Sequence, residues 1–246
     1  MTPSIQPAHR IITALDVENK AQALALVREL DKAVLFKVGL ELFTAEGPAL
    51  LQEIRALGKG VFLDLKLHDI PNTVGEAARI GVRHGARMMT IHISGGGEMM
   101  ARAAATTAEE AAKLGLDMPI LLGVTILTSL KNDDLASIGM APDTSGQVLR
   151  LAALAKASGM AGVVCSAQEI ELVRKEVGPG FLIVTPGIRP AWSAAQDQKR
   201  IMTPALAVEK GSDYLVVGRP ITQAASPREA FDKIVAELDN FIDRVE

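Results

Sequence analysis

The sequence predicts an α/β chain folded as one (β/α)8 barrel, a TIM barrel, and three observations carry that prediction. Eight apolar runs alternate with eight helical stretches along 246 residues, the repeat expected of a barrel of parallel strands with helices outside. Most runs are Leu-rich or β-branched without polar alternation, as in parallel strands covered on both faces. Gly58, Gly85, Gly115, Gly159, Gly178 and Gly211 fall just behind helical stretches, where a left-handed C′ residue is wanted. No Pro/Gly/Ser-rich linker divides the chain, so residues 1–246 are read as a single domain. A doubly wound open sheet is the competing architecture.

The elements follow in order. Ile11–Val17 is the first strand, and Lys20–Asp31 has the periodicity of the helix behind it. Leu35–Gly39 is the second strand, followed by a helix over Ala45–Leu57 that stops at Gly58. Val61–Leu67 enters as a buried strand and leaves through a turn at Pro71 into a helix over Thr73–His84. Met88–Ser94 is the fourth strand, and Gly95-Gly96-Gly97 reads as a tight turn into the helix Glu98–Leu114. Those glycines match neither of the usual phosphate-loop patterns. Pro119–Leu127 and Gly146–Ser158 form the fifth pair, Ala161–Ser166 and Ala167–Val177 the sixth. Phe181–Gly187 is the seventh strand, and the connection from Ile188 to Met202 before the helix Pro204–Lys210 is long enough to act as a lid. Tyr214–Arg219 and Pro227–Val245 complete the repeat.

Composition removes several function classes. A net charge of −3 and pI near 5.9 argue against broad electrostatic binding to nucleic acid or an anionic membrane. The longest apolar stretches are too short for a membrane helix, and Met1–Arg10 lacks the apolar core of a signal peptide. One cysteine, Cys165, excludes an intrachain disulfide and reads as a core residue. A cytoplasmic protein is expected.

The chemistry concentrates at Asp64-Leu65-Lys66-Leu67-His68-Asp69-Ile70-Pro71-Asn72-Thr73. Strand alternation puts Asp64 and Lys66 on one face, with Asp69 just past the strand end. Barrel interiors are normally filled with Val, Ile and Leu, so charge there survives only when paired or used. Lys37 and Lys66 interleaved with Asp64 and Asp69 are expected to neutralise one another, each close pair contributing about 4 kcal/mol before desolvation. Asp16 and Lys37 are the polar outliers of the first two strands. A lysine between carboxylates is a charged ammonium, a poor base but a good stabiliser of a carbanion and a proton donor to it. Asp64 beside a substrate carboxylate would favour its loss as CO2, so the cluster points to decarboxylation. Arg189 in Thr-Pro-Gly-Ile-Arg-Pro and Arg219 behind Gly218 lie after strands seven and eight, where barrels often bind phosphate. His92 reads as a packing or supporting residue without a nucleophilic partner, His68 has no assigned role, and no transition-metal motif is present.

With these motifs in view, the chain resembles the bacterial orotidine 5′-phosphate decarboxylase family. The likeness runs from Ala14-Leu15-Asp16 through DLKLHDIPNT, Leu127-Thr128-Ser129 and TPGIRP to Gly218-Arg219-Pro220. It implies conversion of orotidine 5′-monophosphate (OMP) to UMP without metal or organic cofactor. Lys66 would protonate the C6 carbanion, Asp64 would sit beside the departing carboxylate, and Asp69 and Lys37 would complete the network. Asp16 and Lys37 would meet the ribose, Thr128 the pyrimidine, and Arg189, Gln198, Gly218 and Arg219 the phosphate. It also implies a homodimer in which Asp69, Ile70 and Thr73 reach the partner's site. Two other classes remain open: a Mg-dependent sugar-phosphate enzyme with the same Asp-x-Lys-x-x-Asp pattern, and a non-catalytic phosphate-ligand binder.

Overall fold

The computed structural model describes residues 5–193 and 202–245, within which eight short parallel strands close into a barrel. The strands are β1 Ile11–Ala14, β2 Leu35–Gly39, β3 Gly60–Leu67, β4 Met88–His92, β5 Ile120–Val124, β6 Gly162–Val164, β7 Leu182–Thr185 and β8 Tyr214–Val217. Each pairs in parallel with its sequence neighbours, and Ile11↔Leu215 to Thr13↔Val217 joins the last strand to the first. The helices are α1 Pro7–Arg10, α2 Lys20–Glu29, α3 Leu40–Glu46, α4 Ala49–Ala56, α5 Pro71–Arg83 and α6 Gly97–Leu114. After them come α7 Asn132–Ser137, α8 Thr144–Ala157, α9 Ile170–Val177, α10 Pro204–Glu209, α11 Arg219–Thr222 and α12 Pro227–Val245. Among the described residues no helix is long and apolar enough to cross a membrane.

The strand–helix order agrees with the sequence reading, and the differences lie at element ends. The expected helix Ala45–Leu57 is two helices, α3 and α4, because Gly47 takes φ 66° and Pro48 has no N–H to continue the ladder. β1 stops at Ala14 rather than Val17, although the Leu15 N–H still donates to the Lys37 carbonyl (2.9 Å). Asp16 therefore stands beyond the strand instead of closing it. The helices α1, α7 and α11 have too few residues to show a helical period in sequence. All six post-helical glycines take positive φ, between 64° and 107°. The glycine run after β4 is a turn: a 3-10 stretch over Ile93–Gly95, then Gly96 at φ 92°, then α6.

Two apolar layers hold the barrel. The larger fills the space between strands and helices, with Phe36, Val61, Ile91 and Ile183 from the sheet meeting Val27, Leu51, Val82 and Phe231 from the helices. The smaller contains strand residues alone: Ile12, Ala14, Leu35, Phe62, Met88, Leu122, Val184 and Val216 plug the barrel interior. Side chains alternate along a strand, so the next inward positions are two residues further on. From Leu35, Phe62, Met88 and Leu122 those positions are Lys37, Asp64, Thr90 and Val124. The chemistry thus occupies the layer directly above a hydrophobic floor, at the C-terminal ends of the strands.

Candidate active site

Asp64 is the hub of that layer. Its Oδ1 accepts from Lys66 Nζ (2.9 Å) and Thr90 Oγ1 (2.9 Å), and its Oδ2 lies 3.7 Å from Lys37 Nζ. Lys37 also donates to Asp16 Oδ1 at 3.1 Å. The result is a row of alternating sign, Asp16–Lys37–Asp64–Lys66, exposed at Asp16 and largely buried at Lys37 and Asp64. Asp64 and Lys37 are each 13% exposed at the side chain, so solvent screens their attraction weakly. Gly39 leaves room for this row, since a Cβ there would stand 3.0 Å from Lys37 Nζ.

The network differs from the expected one in one member. Among the described residues Asp69 makes no ion pair with Lys37 or Lys66, and Asp16 takes the fourth position. The cause is local: Asp69 sits past the strand in the turn to α5, where its Oδ1 accepts from the Ile70 N–H (2.6 Å). Strand parity was also an incomplete reason for bringing Asp64 and Lys66 together. β3 is irregular there, with Lys66 at φ 51° and a register shift against β4 between Leu63 and Leu67.

A cavity of about 170 Å3 opens beside the network, lined by Lys37, Asp64 and Lys66 at one end and mainly by apolar side chains elsewhere. Thr128 joins this wall, as expected. So does Cys165, which is 1% exposed and whose thiol burial pushes up to about 12, leaving it a protonated, apolar wall group. A second recess of about 480 Å3 gathers Arg189 and Arg219 with Trp192, Ser193 and Gln223. Gly218 precedes α11, beside Asp16, and the Arg189 N–H donates to the Met202 carbonyl (3.1 Å). Gln198 lies outside the described residues, as does the part of the expected lid from 194 to 201. Ile70 and Thr73 are exposed at the start of α5.

His92 lies near the mouth with its ring centroid 5.4 Å from that of His68. Burial, reinforced by the nearby His68 and Lys66, holds the His92 imidazole below its ordinary value and so neutral near pH 7. Among the described residues no three His, Cys, Asp or Glu side chains gather as a metal site. The member of the network that charge-based reading missed is Thr90. Its signal was its place two residues beyond inward-facing Met88 on a strand opposite Asp64.

Comparison with known proteins agrees over almost the full length. The Orotidine 5'-phosphate decarboxylase / HUMPS family matches residues 9–234. An orotidine 5'-phosphate decarboxylase of Syntrophomonas wolfei is 50% identical over 238 residues, covering 96% of this chain and 100% of its own. One from Paramagnetospirillum magneticum is 52% identical over 229 residues, covering 93% and 97%. The crystal structure of orotidine 5'-phosphate decarboxylase from Lactobacillus acidophilus superposes with a TM-score of 0.83 at 38% identity, covering 93% of this chain and 98% of that one.

Proposed function

This chain belongs to the orotidine 5'-phosphate decarboxylase / HUMPS family, and from that premise we propose how its barrel mouth performs the family's reaction. It is a carboxy-lyase that converts OMP to UMP and CO2 in pyrimidine biosynthesis. Loss of CO2 from C6 leaves a lone pair in the ring plane, which the ring π system cannot absorb. Stabilisation must come from charge held in place beforehand, and the barrier lowering asked of it approaches ~23 kcal/mol.

The observation that carries the mechanism is the row Asp16–Lys37–Asp64–Lys66 beside a mainly apolar cavity. In our reading the pyrimidine lies over the floor formed by Phe62 and Val216, with its carboxylate toward Asp64. Thr128 faces the ring, and Asp16 and Lys37 take the ribose hydroxyls. An anionic carboxylate is disfavoured beside Asp64 and against apolar walls, whereas neutral CO2 is not. As the C6–carboxylate bond breaks, its electron pair stays on C6, the Lys66 ammonium faces that charge, and a proton from Nζ completes UMP. Arg189, Arg219, Gly218 and Gln198 hold the phosphate, so binding energy far from C6 fixes the ring against Lys66.

We further infer a homodimer in which Asp69, Ile70 and Thr73 complete the partner's site. Support comes from their exposure at the barrel mouth, including an apolar Ile70 that is 65% exposed. A cytoplasmic reaction is supported by the single, buried thiol. The relatives at 50% and 52% identity, both orotidine 5'-phosphate decarboxylases, disfavour the Mg-dependent sugar-phosphate reading, and one assay separates the two. OMP absorbance should fall with time at the same rate with and without EDTA, and a strict Mg2+ requirement would refute the cofactor-free mechanism. Lys66→Ala should abolish that turnover while UMP still binds; substantial remaining activity would remove Lys66 from its role.

A further inference from the structure

The irregularity in β3 has a counterpart on the neighbouring strand. Leu63 pairs with Met89 and Leu67 with Ile91, so a four-residue step on β3 faces a two-residue step on β4. Asp64, Leu65 and Lys66 therefore bow out opposite a single residue, Thr90. The bow removes the Lys66 N–H from the regular ladder and turns its backbone to φ 51°, the only positive φ at a non-glycine position among the described residues. Such a conformation is unfavourable for a residue with a Cβ, and persists only when its surroundings impose it.

Thr90 supplies that constraint. Its Oγ1 accepts from the Lys66 N–H (2.9 Å) and donates to Asp64 Oδ1 (2.9 Å). The direction of both bonds is fixed by chemistry: an amide N–H only donates and a carboxylate only accepts, so the single hydroxyl proton goes to Asp64. Thr90 is 1% exposed and β-branched, so its side chain has little freedom to abandon the arrangement. The hydroxyl thus ties together the two groups whose spacing matters most, the backbone that carries the ammonium and the carboxylate it faces.

We propose that Thr90 is a positioning residue for the decarboxylation, holding the Lys66 backbone and the Asp64 carboxylate in one geometry. It touches no reacting atom. This inference rests on the assignment of Lys66 as proton donor. It predicts a defect in the chemical step rather than in substrate binding, because the phosphate and ribose contacts lie elsewhere.

The test is steady-state kinetics on full-length Thr90→Val and Thr90→Ser, with UMP affinity measured alongside and Lys66→Ala as reference. Valine keeps the shape without the hydroxyl, while serine keeps the hydroxyl without the methyl. Thr90→Val should lower kcat roughly ten- to a hundredfold, the scale of losing charge-assisted hydrogen bonds, with KM and UMP affinity within about threefold of wild type. Thr90→Ser should restore kcat to within about threefold of wild type. If Thr90→Val does not fold, Thr90→Ala carries the same expectation. Unchanged kcat in the valine variant overturns the proposal. Equal loss of kcat in both variants also overturns it, since a packing role would then suffice. Lys66→Ala with near wild-type turnover would instead overturn the donor assignment, whatever Thr90 does.

Discussion

Asp64 reaches Lys66, Lys37 and Thr90 through two carboxylate oxygens, so each partner limits the freedom of the others. Part of this was legible in the sequence. Charges at positions expected to face a barrel interior stood out, and Lys37, Asp64 and Lys66 do line one cavity. Two things were not legible. A threonine among apolar strand residues gives no charge signal, so Thr90 went unmarked. The placement of Asp69 depends on a turn whose local hydrogen bond satisfies its carboxylate first. Arg219 makes the clearest residue-level prediction, because it faces the recess shared with Arg189 and lies away from the carboxylate hub. Arg219→Ala should raise KM for OMP roughly ten- to a hundredfold with a smaller change in kcat. Orotidine, which lacks the phosphate, should lose nothing further, and an equal loss with both substrates would argue against phosphate contact.

At the scale of elements, α5 and α6 form the most closely associated helix pair, joined by a charged seam. Glu110 of α6 is 1% exposed at its side chain and receives Arg83 Nε at 2.7 Å and Arg79 Nη1 at 3.1 Å, both from α5. Arg79 also reaches Glu76 and Glu109, so the seam closes into a network. The Arg83 hydrogen bond, with Arg79 behind it, holds the Glu110 carboxyl below its ordinary 4.5. A carboxylate with a lowered native value contributes stability that is complete above the unfolded value and vanishes as pH falls through the native one. Glu110→Gln should therefore melt below wild type near neutral pH, with the gap closing as pH drops below about 4.5. A gap that stays constant across thermal melts in that range would show that the carboxylate charge is not the stabilising feature. Sequence periodicity located both helices to within two residues. It could not find the seam, because long-range ion pairs between separate helices leave no local pattern.

For the whole molecule, the alternation of elements pointed to the barrel, and the pairing of β1 with β8 closes it and excludes the open sheet. The architecture explains why the site was dispersed in sequence: its groups come from the ends of β2, β3 and β4 and from loops after β1, β5, β7 and β8. What a single chain does not contain is its neighbour. If Asp69 serves the partner's site, mixing inactive Asp69→Ala and Lys66→Ala proteins should restore part of the activity, because hybrid dimers hold one intact site. Absence of recovery despite demonstrated subunit exchange would remove the contribution in trans.

Trp192 is the only tryptophan in the chain, and it stands about half exposed in the recess of Arg189 and Arg219 with Lys233 Nζ 5.7 Å from its ring centroid. Its indole emission is therefore an optical gauge seated at the proposed phosphate end, undiluted by any second indole. Titration with UMP should change the colour or intensity of that emission, and inorganic phosphate should do so more weakly. Such a response would make Trp192 an unlabelled fluorescent reporter that reads nucleotide binding apart from turnover, even in variants that no longer catalyse.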